Sequence, residues 1–176
     1  MRARREMLRA FIAESYAAQP VHEIAAQLVD VMPSASAADR VRAAQVPVLL
    51  ADLVDIVEQV VIKADENAHV RGFAGGLLTY VYNPLDLLTA EGIVGWLDDT
   101  IVCAVGLRRL HDDGLAQLDE PTLALCDVAR EAREHLNPEL ASAIADFIEA
   151  LWQNSSTMPA ATGGAPATAP ARRAGP

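Results

Sequence analysis

Aromatic side chains are scarce in this sequence, at 5% of 176 residues, and lysine occurs once, as Lys63, beside thirteen arginines. The two cysteines, Cys103 and Cys126, form no CxxC pair, which excludes a disulfide framework and a cysteine-based zinc site. Both lie in apolar stretches and read as reduced, buried thiols of a cytoplasmic protein. Cations are few, 14 against 24 acids for a net charge of −10. That balance excludes a broad phosphate-binding surface, and with it duplex nucleic acid as a partner. GxSxG, a Walker loop, a dinucleotide glycine fingerprint and HExxH are all missing, and His22, His69 and His135 are scattered without ligand spacing. A basic start, Met1 to Arg5, resembles the opening of a signal peptide, but Arg9, Glu14 and Ser15 break the apolar run that should follow.

What remains is alanine and aliphatic residues within a 52% hydrophobic chain, a mixture that favours closely packed helices over strands. Leu8, Phe11, Ile12, Ser15 and Tyr16 recur at helical spacing up to Pro20, and Val21, Ile24, Ala25, Leu28 and Met32 repeat the pattern up to Pro33. Ser34 to Gln45 is an alanine-rich third segment. From Val46 to Ala64 apolar residues return every three or four positions over about five turns, which predicts a long scaffold helix. Asp119-Glu120-Pro121 and Asn137-Pro138-Glu139 each read as an N-cap followed by proline in the first turn. Ahead of both, His111-Asp112-Asp113-Gly114 reads as a helix end and exposed turn, not a ligand cluster. From Gln153 onward the chain is Ala, Pro, Gly, Ser and Thr with Arg172-Arg173, too poor in apolar bulk to offset its chain entropy. The expected organisation is a helical domain over 1–152, with 12 cations against 24 acids, and a disordered tail over 153–176.

Residues from about 70 to 110 differ in kind. Gly72 to Tyr82 is apolar on all sides, Asn83-Pro84 interrupts it, and Ile93 to Leu107 forms a second such run. A helix apolar all round is buried, so the pair predicts an antiparallel helical hairpin at the centre of the domain. Gly72, Gly75 and Gly76 facing Gly95 and Gly106 would let its arms approach closely. Neither arm suits a bilayer: the first is too short and the second carries Asp98-Asp99 at its middle. Peripheral membrane contact through Arg2, Arg4, Arg5 and Arg9 is disfavoured against a solvated helix face.

Four carboxylates enter this apolar hairpin: Asp86 and Glu91 in the connection, and Asp98 and Asp99 in the second arm. Adjacent helical residues point about 100° apart, so at least one of Asp98 and Asp99 must be desolvated. A buried carboxylate needs a proton, a cation, hydrogen-bond donors or a metal. Tyr80, Tyr82, Asn83, Arg71 and Arg108 are the candidate partners. With a turn near residue 87, Asp98 and Asp99 would lie level with Leu77 and Gly76.

The stretch Tyr80-Val81-Tyr82-Asn83-Pro84-Leu85-Asp86-Leu87-Leu88, followed by Gly95-Trp96-Leu97-Asp98-Asp99, resembles the bacterial YkvA-like domain family. Tyr80, Pro84, Asp86, Leu87, Gly95, Asp98 and Asp99 carry the resemblance, over about a quarter of the chain. Where the family pattern continues with Pro-Asp, this chain has Thr89-Ala90 and then Glu91. The resemblance implies the helical hairpin; the family has no settled activity to carry over.

Two functions follow as expectations. The first is a non-catalytic binding or regulatory module with an unidentified protein partner, or a second copy of itself. There, Tyr80, Asn83, Pro84, Gly95 and Arg71 serve the structure and hydrogen bonding of the hairpin. The second is a divalent-metal-dependent hydrolase of a phosphate-containing or lipid-like substrate. In that reading Asp86, Asp98, Asp99 and Glu91 supply hard oxygen ligands to Mg²⁺, Mn²⁺ or Ca²⁺. Both sit on one all-α domain, a bundle of six to eight helices around the hairpin.

Overall fold

The computed structural model describes residues 2–64, 67–83, 87–88 and 92–156, with side chains from Glu6 onward. Among these residues the chain is an all-α bundle of eight helices: α1 (Arg2–Ala18), α2 (Val21–Gln27), α3 (Ala37–Ala43), α4 (Leu50–Lys63), α5 (Ala68–Val81), α6 (Trp96–Asp112), α7 (Glu120–Arg133) and α8 (Pro138–Ser156). Two 3-10 turns, Val46–Leu49 and Gly92–Gly95, precede α4 and α6.

Local chemistry fixes most of these ends. Ser36 and Asp39 form a reciprocal capping box at the start of α3. Asn67 accepts from the Val70 N–H at 3.1 Å, Asp119 from Thr122 at 3.1 Å and Asn137 from Leu140 at 2.9 Å. Each therefore satisfies one of the amides that a helix start leaves without a partner. At the end of α6, Leu115 N–H reaches the Leu110 carbonyl at 2.8 Å and Gly114 N–H reaches His111 at 2.9 Å. This Schellman closure places the first residue past the Asp113 cap in the left-handed region, where Gly114 has φ +70°. His111 Nδ1 meanwhile faces the Leu118 amide at 3.4 Å, so the His-Asp-Asp-Gly stretch is a helix end in use as one.

The helix expected from Val46 opens instead as a 3-10 turn, because Pro47 lies in its first positions and Leu50 N–H bonds back only three residues, to the Pro47 carbonyl. Its apolar stripe persists, with Leu50, Leu53, Val54 and Val57 buried. The centre of the bundle is α6, whose Leu97, Ile101, Val102, Cys103, Ala104, Leu107 and Leu110 are all buried. It packs against α4, α5, α7 and α8, which accounts for its lack of a polar stripe. Each of its large side chains is worth about 1.5–3 kcal/mol of burial.

Three sequence expectations change. Phe11, expected in the buried stripe of the first helix, is 55% exposed, while Ile12 carries the contact. Of the glycines expected between the hairpin arms, Gly106 does lie against α5, where an added Cβ would stand 2.6 Å from Leu77 Cδ1. Gly76 faces Leu151 of α8 and Gly75 faces open space, so close approach to α6 is not what they serve. Finally, α8 continues four residues past Trp152, to Ser156. The expected disorder of the remaining tail, 157–176, falls outside the described residues.

Candidate functional site at the hairpin connection

Tyr80 stands in the last turn of α5 and Asp98 in the first turn of α6, and the antiparallel pairing brings them together. Tyr80 Oη donates to Asp98 Oδ2 at 2.5 Å. The same oxygen accepts from the Leu87 and Leu88 amides, each at 3.1 Å, and Leu87 N–H also lies 3.0 Å from Tyr80 Oη. One oxygen thus gathers three donors, the work of an ionised carboxylate, which is acceptor-only. Asp98 is fully buried, and its place at the start of α6 adds the favourable field of the helix N-terminus. The pair of α5 and α6 is therefore joined at this end by a polar contact inside an apolar surround.

Burial, and then the hydrogen bond to Asp98, push the Tyr80 hydroxyl far above the usual phenol range. Tyr80 remains a donor at any ordinary pH. Its ring packs on Phe147 of α8 with centroids 4.7 Å apart, which fixes the direction of the hydroxyl. Asp99 is also buried, at 4% exposure, and its charge acts on Tyr80 and on Cys103. The desolvation expected for at least one of the two aspartates holds for both.

The register differs from the expected one. Asp98 meets Tyr80 instead of lying level with Leu77, and Leu77 lies against Gly106. The cause is the 3-10 turn Gly92–Gly95, opened by Gly92 at φ +71°, which delays the start of α6 to Trp96. Asn83 N–H closes the end of α5 on the Tyr80 carbonyl at 3.1 Å, and Gly95 is buried at the N-cap of α6. Arg71 is exposed in the first turns of α5, nine residues or about 13 Å of helix rise from Tyr80. Arg108 pairs with Asp112 at 2.9 Å and with Asp127 of α7 at 3.0 Å. Neither arginine is brought to Asp98 by these contacts. Asp86, Glu91 and Pro84 lie outside the described residues. Among the described residues, no three His, Cys, Asp or Glu side chains converge as a metal-binding group.

A second cluster escaped the sequence reading. At the far end of α5, His69 Nδ1 lies 3.0 Å from Ser155 Oγ and 3.2 Å from Ser156 Oγ, and the His69 ring meets Trp152 edge-on with centroids 4.4 Å apart. Both serine hydroxyls are also within bonding distance of the Trp152 carbonyl, at 2.8 and 2.9 Å. Arg109 lies 4.1 Å over the Trp152 ring and bonds Glu149 at 2.7 Å, tying α6 to the same turn of α8. The only sequence signal was Trp152 beside two serines, and the composition change at that point concealed it. No family model matches the chain, and neither a curated protein nor a solved structure matches it.

Proposed function

We propose that the protein is a non-catalytic binding or regulatory module whose recognition element is the hairpin connection, held in place by the Tyr80–Asp98 clamp. The observation that carries this reading is the use of Asp98 Oδ2: a fully buried carboxylate directs its one shared oxygen to the Leu87 and Leu88 amides. An oxygen that saturates backbone donors orders a segment instead of attacking or activating a substrate. Tyr80, Leu87, Asp98 and Gly95, which carry the YkvA-like resemblance, are the clamp and its immediate neighbours, so the resemblance accords with the hairpin on which this reading rests. Two buried free cysteines, whose thiols burial pushes up, to about 11 for Cys126, accord with a cytoplasmic protein. The partner is a protein or a second copy of the chain.

A divalent-metal hydrolase is the second reading, favoured by one observation: Asp98 and Asp99 are both buried at the end of α6 that adjoins the connection carrying Asp86 and Glu91. Hard oxygen donors suit Mg²⁺, Mn²⁺ and Ca²⁺. Thermal unfolding with each ion in turn separates the two. The module reading expects an unchanged melting temperature in wild type, and an Asp98→Asn loss that is equal with and without ion. An ion-dependent rise that Asp98→Asn and Asp99→Asn abolish overturns it in favour of the metal site.

A further inference from the structure

Among the described residues, three large exposed apolar side chains share one cleft. Met7 is 71% exposed and Phe11 55% exposed, one turn apart on α1, and Tyr82 at the end of α5 is 41% exposed. With Leu8, Ala10 and Glu14 they line a cleft of about 620 Å³. Phe11 is held outward against Trp96 with ring centroids 4.9 Å apart. The other large exposed apolar residues, such as Val29, Ile62 and Val128, sit singly on separate elements. Scattered residues of that kind need no partner, whereas a contiguous patch does.

Charge says which partner. On a chain of net −10, residues 2–9 hold four arginines, Arg2, Arg4, Arg5 and Arg9, and one acid, Glu6. Arg9 pairs with Asp52 of α4 at 2.5 Å, which anchors α1 to the bundle. An arginine-rich helix with Met and Phe one turn apart, flanked by tyrosine and tryptophan, has the composition that settles at the headgroup level of a bilayer. No described helix is long and apolar enough to cross a membrane, so such contact is interfacial. We propose that the first half of α1, with the Met7–Phe11–Tyr82 cleft, docks on an anionic lipid surface. Glu14, which lines the same cleft, sets the limit of insertion.

The test is sedimentation of the full chain with phosphatidylglycerol vesicles and with phosphatidylcholine vesicles, at low and high salt. Wild type is expected to pellet with the first and not the second, and to be released by salt. The Met7→Glu/Phe11→Glu pair and the Arg2→Glu/Arg4→Glu/Arg5→Glu set should each lower partitioning by about tenfold or more. Phe11→Trp, which keeps an aromatic ring at the site, should shift its emission to the blue on phosphatidylglycerol vesicles. It keeps the test decisive if the glutamate variants fail to fold. Wild type left in the supernatant with phosphatidylglycerol at low salt overturns the proposal. So does unchanged Phe11→Trp emission, or pelleting that survives Met7→Glu/Phe11→Glu in a folded protein. Self-association in the ultracentrifuge that Met7→Glu abolishes, or capture of polyglutamate in place of vesicles, would assign the face to a second copy or an acidic protein, and would equally overturn it.

Discussion

Tyr80→Phe removes one oxygen from the clamp and leaves the ring on Phe147. The lost bond is a hydroxyl donating to a buried carboxylate at 2.5 Å, and hydrogen bonds to charged groups contribute about 1.5–3 kcal/mol. Leu87 N–H keeps Asp98 Oδ2 at 3.1 Å, so the substitution orphans no amide and adds no further penalty. About 2 kcal/mol is therefore expected, which for a domain of this size lowers the melting temperature by about 4–8 °C. Tyr16 supplies an internal reference. Its hydroxyl donates to the neutral Ala44 carbonyl at 2.6 Å in a half-buried setting, so Tyr16→Phe should cost about 1 kcal/mol. Chemical denaturation of both variants, of Asp98→Asn and of the Tyr80→Phe/Asp98→Asn double variant closes a cycle whose coupling term should exceed about 0.5 kcal/mol. A Tyr80→Phe loss no larger than that of Tyr16→Phe, together with additive Tyr80 and Asp98 losses, would refute the clamp.

Three further outcomes follow from the same contacts. Gly75→Ala meets nothing within 4 Å and should gain most of the helix-propensity difference of about 1 kcal/mol. Gly106→Ala, 2.6 Å from a Leu77 that is itself fully buried, should lose about 1–2 kcal/mol net, and denaturant midpoints of the two variants should move in opposite directions. Burial of Cys103 and Cys126 predicts that an aromatic disulfide reagent at about pH 8 titrates no thiol in the native chain and both after unfolding; a native thiol that reacts at once would contradict it. Asp119 is held below the ordinary carboxylate range by its bond to Thr122, so its contribution is full above that range and is lost as pH falls through the lowered value. Asp119→Ser keeps an acceptor for the Thr122 amide but does not titrate, and should flatten the acid side of the melting curve; an equally steep curve would refute the assignment.

What could be read from the sequence was what depends on near neighbours. The caps at Asp119 and Asn137 lie beside the prolines that announce them, and the periods of α4 and α8 survive wherever those helices pack. The exposure of Phe11 could not be read, because it depends on where α4 and α6 meet α1, not on α1 itself. Gly75, Gly76 and Gly106 look alike in sequence, and only the arrangement of three helices shows that Gly106 faces α5, Gly76 faces α8 and Gly75 faces open space. At the site, the desolvation of at least one of Asp98 and Asp99 followed from helical period, and Tyr80 was among the candidate partners. The register that selects Tyr80 did not follow, because the turn Gly92–Gly95 sets it, and the short glycine-flanked run gives no periodicity from which a 3-10 turn could be distinguished from the start of a helix.

The two ends of the α5–α6 pair are built differently, and the difference bears on function. At the end of α8, His69, Phe73, Trp152, Ser155, Arg109 and Glu149 share aromatic, hydrogen-bond and ionic contacts among three helices. Losing any one leaves the others in place. At the connection, the Leu87 and Leu88 amides converge on Asp98 Oδ2, with Tyr80 Oη as the second acceptor for Leu87. Contacts that converge on one atom are weakened together, so a change at Asp98 Oδ2 reaches both amides at once. A partner that takes the Leu87-Leu88 backbone, or supplies its own donor to Asp98, meets a segment that can exchange one set of bonds for another without disturbing α6. A segment able to exchange its bonds in this way suits the recognition element proposed above, whereas the hydrolase reading requires its reacting groups to be held rigidly.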